Sequence, residues 1–519
     1  GDEKELRRTY ADEAGTPSAA STWVRDKVCE EVLMGGDETP ISRSRTVYTD
    51  TSNLSQTGYE GINPGGASPC SGVGFGWVLR SDAYLANDTG GGRYVVQSSR
   101  VYDAYGNPTQ VYEGGVTRNL SYDTQQFRPE SESVTPTAGG QPLTWTMTWD
   151  PVLGQPLALT DPNNDKTEVT YDSLGRVTGI GVNAQPSHIR YQYDWTAPRP
   201  RTATLVWDKS LEGGVQALSN LGAIDSAAPS DWRKTVAVAN GAGEELYSAT
   251  YLGEQSAVGQ PWVGPYEQGA RTWIISGWKE RDQRGRVVRV ADPFYSAALP
   301  TAMPGGYAAV QVLEYDALDR LTRQVLPNMG TKQIAYKAFE QTVTSSDLAP
   351  VTSFLDGFSR IIQTSRVIPE GPAGMPVPQG TGGAEGVTAT YDAADRILEM
   401  SLQGGVAVHS FTYDTLGRLL RAHDPDIGER TMTYEDWGWL KTHANGAGQT
   451  VQFEYDLAGR LTSRRDVSRT PALEYSYHYD VAAPSGVMGP SSNFTATCEG
   501  NATGRQKGRL SWVNEPHGV

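Results

Sequence analysis

The feature that most limits what this chain can fold into is a short phrase that keeps returning along its length. "TYDSLGRV", residues 170–177, is echoed by "EYDALDRL" from 314, "TYDAADRI" from 390, "TYDTLGRL" from 412, "TYEDWGWL" from 433 and "EYDLAGRL" from 454. Looser versions are "VYDAYGNP" from 101, "ERDQRGRV" from 280 and "FLDGFSRI" from 354. The tyrosines at 391, 413, 434 and 455 are spaced by 22, 21 and 21 residues. A fixed period of this size marks a supersecondary unit that is stacked repeatedly.

The unit reads as a β-hairpin. Asp172 suits the first position of a type I turn, where its carboxylate accepts the backbone N–H two residues on. Gly175 falls where positive φ closes the hairpin with a bulge. Tyr171 and Val177 then face each other across the two strands, a pairing worth about 0.2–1 kcal/mol. Tyr315, Tyr391, Tyr413, Tyr434 and Tyr455 are paired at the same offset with Leu321, Ile397, Leu419, Leu440 and Leu461. Asp316, Asp392, Asp414 and Asp456 repeat the role of Asp172, and Gly417 and Gly459 that of Gly175. Asp319 and Asp395 replace the glycine, since Asp tolerates the left-handed region. In "LDGFSR" Ser359 takes that position and Gly357 is displaced, so a different turn is expected there. Arg176, Arg320, Arg396, Arg418 and Arg460 are placed opposite their aspartates as exposed ion pairs of small value.

Around the turns the pattern alternates with period two, as in "TEVTY" before Asp172. Second turns such as "LTDPNNDKT", "AHDPDIGER" and "HANGAGQT" separate the hairpins. The predicted architecture is all-β, one long antiparallel sheet that must curl or close to hide its inner face and protect its edges. Only "STWVRDKVCEEVLMG" from 21 offers a helix, and it reads equally as a strand. With 58 Gly and 31 Pro the chain is rich in turns, while 13 Trp, 26 Tyr and 9 Phe supply surface to bury.

Charge and composition exclude several classes. A net charge of -16 disfavours nucleic acid and anionic membrane surfaces. No apolar run approaches the roughly 18 residues of a membrane span. The chain opens "GDEKELRRTY" and stops soon after "GRLSWV", which reads as a segment of a longer polypeptide. Cys29, Cys70 and Cys498 allow at most one disulfide, with three ways to choose it.

Chemical motifs are weak. The repeated aspartates sit in identical contexts, whereas acid–base catalysis needs groups in distinct environments. Asp161, Asn163, Asp165 and Asp172 mimic a calcium loop, but Lys166 stands where glycine is required. The six histidines form no HExxH or close pair, and no glycine loop is followed by Lys-Ser/Thr. "EYSYHYD" at 474–480 can stack sugars, although its alternation fits a strand with Tyr475, Tyr477 and Tyr479 on one face. The sequons at Asn53, Asn87, Asn119, Asn493 and Asn501 matter only in a glycosylating host. No cofactor, no metal and no catalytic residue is expected.

These phrases resemble the RHS/YD-repeat family. "WDPVLGQPLALTDPNNDKTEVTYDSLGRV", "RTWIISGWKERDQRGRVVRVADPF" and "YDALDRLTRQVLPNMGTKQIAYKAF" look like the RHS portion of bacterial Tc toxin B components and of SpvB-type secreted proteins. The resemblance implies a spiral antiparallel sheet of YD-repeat hairpins curling into part of a hollow RHS shell. It further implies a secreted bacterial protein and a structural, non-enzymatic role enclosing a C-terminal toxic cargo. The expected partners are that cargo, the remaining shell domains of the parent chain and a toxin translocation component. An extracellular adhesion or carbohydrate-binding module is the alternative. The expected organisation is a β-rich lead-in at 1–94, first repeats at 95–195, an irregular insertion at 196–270 and further repeats at 271–519. "PEGPAGMPVPQGTGGAEG" at 369–386 is expected as an extended excursion.

Overall fold

A computed structural model describes residues 4–10, 27–34, 40–48, 77–86, 92–196, 199–209, 221–229, 231–255, 271–303, 310–328, 330–346, 348–367, 384–402, 407–480 and 507–514, with 215, 218 and 405 between them. The described residues contain no helix and form two 18-stranded sheets. The first runs from Glu5–Tyr10 to Arg271–Ser276, with Phe294–Ser296 paired beside the latter. The second runs from Lys279–Arg281 to Leu510–Asn514. Neighbouring strands are antiparallel, as tight connections between sequential strands require. The candidate helix resolves as a strand over Val28–Met34, and residues 21–26 lie outside the described residues. So does the excursion up to 383, whereas 384–386 open the strand Ala384–Tyr391.

Packing divides the chain into two compact units. One comprises 1–147, 160–164 and 387–519; the other comprises 148–159 and 165–386. The second unit holds the largest apolar core, in a stretch expected to be irregular. Residues 196–270 carry the strands Arg201–Trp207, Trp232–Ala239 and Glu245–Gln255. Their alternate residues Ala203, Leu205, Val236, Val238 and Tyr247 are completely or almost completely buried. Tyr247 stacks on Trp278 with ring centres 4.5 Å apart, and its hydroxyl donates to the Pro300 carbonyl at 2.7 Å. These strands are built from Ala, Thr and Val without the Tyr-Asp phrase, so the repeat signal fades where the β-structure does not.

In the first unit two runs of hairpins meet edge to edge. Each run has one edge of Tyr-Asp turns and an opposite edge of plain turns. The plain edge of the early run abuts the Tyr-Asp edge of the late run. Thr415 Oγ1 donates to the Tyr84 carbonyl at 2.6 Å and accepts from the Ala86 N–H at 3.1 Å. Arg93 forms a two-pronged ion pair with Asp436. The Leu457 N–H donates to the Pro136 carbonyl at 2.8 Å. Asn163 exchanges two hydrogen bonds with the Lys507 backbone, at 2.8 and 2.9 Å. Thr415, Asp436 and Leu457 each stand directly after the first residue of successive turns, so one turn position makes the seam each time. Trp437 and Trp439 crowd Gly115 so closely that a Cβ there would lie 2.6 Å from the Trp437 ring.

Candidate functional site

The repeated turn is the place where the sequence concentrates its polar side chains, and its geometry recurs from repeat to repeat. Asp172 N–H donates to the Arg176 carbonyl at 2.9 Å, and Gly175 N–H to the Asp172 carbonyl at 3.0 Å. Asp172 Oδ1 accepts from the N–H groups of Leu174 and Arg176, both at 2.9 Å, while Oδ2 takes the Arg176 Nε at 2.7 Å. Asp316–Arg320, Asp392–Arg396, Asp414–Arg418 and Asp456–Arg460 repeat the arrangement. Gly175, Gly417 and Gly459 have φ of 76°, 83° and 78°, and Asp319 and Asp395 adopt 62° and 64°. Tyr171, Tyr315, Tyr391, Tyr413, Tyr434 and Tyr455 pair across their hairpins with the residues six positions on, beside a register shift.

Two expectations about these turns need correction. The "LDGFSR" turn does not differ: Ser359 has φ 66°, and Asp356 Oδ1 accepts from Phe358 and Arg360 as in the glycine-containing copies. Nor are all the ion pairs exposed. Asp414 and Asp456 are buried, although each carboxylate receives the same three backbone and guanidinium donors as the more exposed Asp172.

The tyrosines and arginines also act between repeats, which the sequence reading missed. Tyrosine hydroxyls reach back to the carbonyl at the exit of the preceding turn: Tyr193 to Val177 at 2.8 Å, Tyr315 to Val287 at 2.8 Å, Tyr434 to Leu419 at 2.9 Å and Tyr479 to Leu461 at 2.9 Å. Each arginine reaches forward over the next tyrosine ring. Arg176 lies 4.6 Å from the centre of Tyr193, Arg396 5.0 Å from Tyr413, and Arg460 4.3 Å from Tyr479. Arg396 and Arg418 further donate to the carbonyls of Asp414 and Glu435, each at 2.7 Å. Where the arginine is replaced, Trp439 packs against Tyr455 instead, ring centres 5.0 Å apart.

Further copies of the turn are present without the full phrase. Asn240 and Asn445 accept, like Asp172, from residues two and four positions on, and in a turn one residue longer Asp123 Oδ1 accepts from Phe127 and Arg128. Asp194 follows Tyr193 and binds Thr196 and Arg201. A short polar acceptor followed three residues later by a left-handed residue is the signal that finds the turns at Asp123, Asn240 and Asn445; insisting on Asp and Arg hides them.

Two sets of buried charged groups lie apart from these turns. Lys234 is fully buried, and its ammonium donates to the carbonyls of Ala223 and Ser226 at 3.0 and 2.9 Å. Burial lowers its pKa, opposed by the charge of Asp225. Arg80 and Asp82 form a buried pair at 2.8 Å, and burial raises the Asp82 carboxyl against the pull of Arg80. Cys29 is disulfide-bonded, whereas Cys70 and Cys498 lie outside the described residues. Asp161 accepts from Asn163, and Asp172 is engaged by Arg176, so the calcium-loop carboxylates do not converge. Among the described residues no group of three His, Cys, Asp or Glu is arranged to hold a metal. No helix of the described residues is long and apolar enough to cross a membrane. Tyr475 lies beneath Arg464, and the Asn119 side chain accepts from Gln110; the other four sequons lie outside the described residues.

Fold and turn together define a repeat protein built from mutually clipped hairpins. Residues 434–471 match the RHS repeat family model. Among solved structures, TcdB2–TccC3 superposes with a TM-score of 0.71 at 13% identity, covering 99% of this chain and 29% of that one. TcdB2–TccC3 without its hypervariable C-terminal region gives 0.67 at 11%, covering 92% and 30%. The Photorhabdus luminescens Tc holotoxin pore gives 0.67 at 12%, covering 92% and 29%. The chain thus resembles the RHS/YD-repeat sheets of Tc toxin B components and spans about 30% of the length of those chains. No curated protein sequence matches it.

Proposed function

We propose that this chain is a wall segment of an RHS shell in a secreted bacterial toxin protein, and that the shell encloses a C-terminal polypeptide of the same parent. The reading rests chiefly on the clipping of each hairpin to its predecessor by tyrosine and arginine. Within each sheet this links hairpin to hairpin through side chains that are spent on holding the sheet together rather than on a reaction. A non-enzymatic role follows from that use of the polar groups. The Tyr-Asp-x-x-Gly-Arg residues are then structural, and the partners are the enclosed polypeptide, the rest of the shell and a translocation component. The likeness to TcdB2–TccC3, which carries a hypervariable C-terminal region, supports the same reading.

Electron cryomicroscopy and mass spectrometry of the full-length parent test it. Internal density with a copurifying C-terminal fragment is the expected result. An empty interior with no downstream fragment overturns enclosure, and glycan-array binding by the same preparation would establish the adhesion reading in its place.

A further inference from the structure

The first unit contains a docked Tyr-Asp edge and an undocked one, and the two differ in how far the apolar residues at their turn tips are exposed. In docked turns the third residue, Leu416 or Trp437, is half-buried. On the outer edge of the early run the apolar tip residues Tyr105 and Phe127 are 73% and 80% exposed. Tyr105 is the third residue of its turn and Phe127 the fifth of a turn one residue longer, and Asp103 and Asp123 each accept from the tip backbone. Large apolar side chains at successive turn tips along one edge are unfavourable in water unless that edge is covered.

We infer that the Tyr105–Phe127 edge is a docking surface for the plain edge of another course of the same hairpins. The seam inside the first unit supplies the pattern: a Tyr-Asp edge takes a plain edge, through backbone groups, small residues and a basic side chain such as Arg93. The late run carries such a plain edge, including the turn Asp424–Gly428 with Ile427 exposed. Among the described residues one edge of each type is unused, which makes the chain self-complementary head to tail, an association that propagates rather than closing on a two-fold axis. The occupant available in solution is therefore a second copy of this chain. The inference does not depend on whether any shell encloses a cargo.

Sedimentation velocity across a hundredfold range of protein concentration, with hydrogen–deuterium exchange at both ends of that range, tests it. The expected result is concentration-dependent assembly beyond a dimer, with 103–107, 123–128 and 424–428 protected together. The double variant Tyr105→Lys, Phe127→Lys should reduce association at least tenfold while leaving the melting temperature unchanged, since both side chains are exposed. A wild-type chain that stays monomeric throughout overturns the proposal. So does assembly that the double variant leaves intact, or that protects a different surface.

Discussion

Arg418 lies over the ring of Tyr434, its guanidinium carbon 5.0 Å from the ring centre, while the Tyr434 hydroxyl donates to the carbonyl of Leu419, the residue next to that arginine. The two residues close a loop between consecutive turns, because Arg418 also donates to Glu435 O at 2.7 Å. Tyr434→Phe should cost about 1 kcal/mol, the net value of one hydrogen bond, and Arg418→Ala about 2–3 kcal/mol. Urea unfolding of both singles and the double should reveal a coupling of about 0.5–1 kcal/mol. Strict additivity would show that the contact carries no shared energy.

The left-handed turn position makes opposite predictions at two sites. Gly417 has φ 83°, and a Cβ there would meet only Arg396 Nη1, at an ordinary contact of 3.8 Å, so Gly417→Val is strained chiefly by backbone conformation and should lose about 1 kcal/mol or more. Ser359 holds φ 66° without being glycine, so Ser359→Gly should gain up to about 1 kcal/mol. Thermal melts of the two variants decide the matter. Equal and small shifts would remove backbone strain as the cause.

Lys234 anchors the segment 223–226 from inside the apolar core. Lys234→Met keeps the stem and removes the ammonium, leaving two carbonyls unpaired in a buried setting. A loss of about 2–4 kcal/mol is expected, with faster amide exchange confined at first to 221–229. An unchanged melting curve would mean that water replaces the ammonium at no cost.

Acid should weaken the turns. The Asp172 carboxyl is held low by the Arg176 backbone N–H, Asp282 by the Arg286 side chain, and Asp194 is lowered to about 2 by the Thr196 hydroxyl and its neighbours. Each folded value lies below the unfolded value of about 3.9, so the stabilisation is complete above that value and is lost as pH falls toward the folded one. Asp82, raised by burial, works in the opposite sense and offsets part of the loss. Melting temperatures measured from about pH 6 down to about pH 3 should fall below about pH 4, more shallowly in Asp172→Asn with Asp194→Asn. A flat profile would sink this account.

The hairpin itself was legible in the sequence because its determinants are local: an acceptor at Asp172, a left-handed residue at Gly175 and facing partners at Tyr171 and Val177 lie within seven residues. The relay from Tyr434 to Leu419 was not, because its acceptor is a backbone carbonyl that leaves no trace in residue identity. The same holds for the seam, where the Thr415 hydroxyl meets the main-chain carbonyl of Tyr84 across more than 300 residues of chain. The strands within 196–270 escaped for a third reason. They follow the alternation rule but lack the repeated phrase, and buried Lys234 interrupts the apolar side of Trp232–Ala239.

The tyrosine relay also bears on how far such a chain can drift. The hydroxyls of Tyr315, Tyr336, Tyr434 and Tyr455 all end on a peptide carbonyl, so the residue supplying it can change without loss of the bond. A whole hairpin can likewise be gained or lost, since the next tyrosine meets an equivalent carbonyl one unit earlier. Selection then acts on few letters per repeat and leaves the rest free, which is how 11–13% identity coexists with a shared fold.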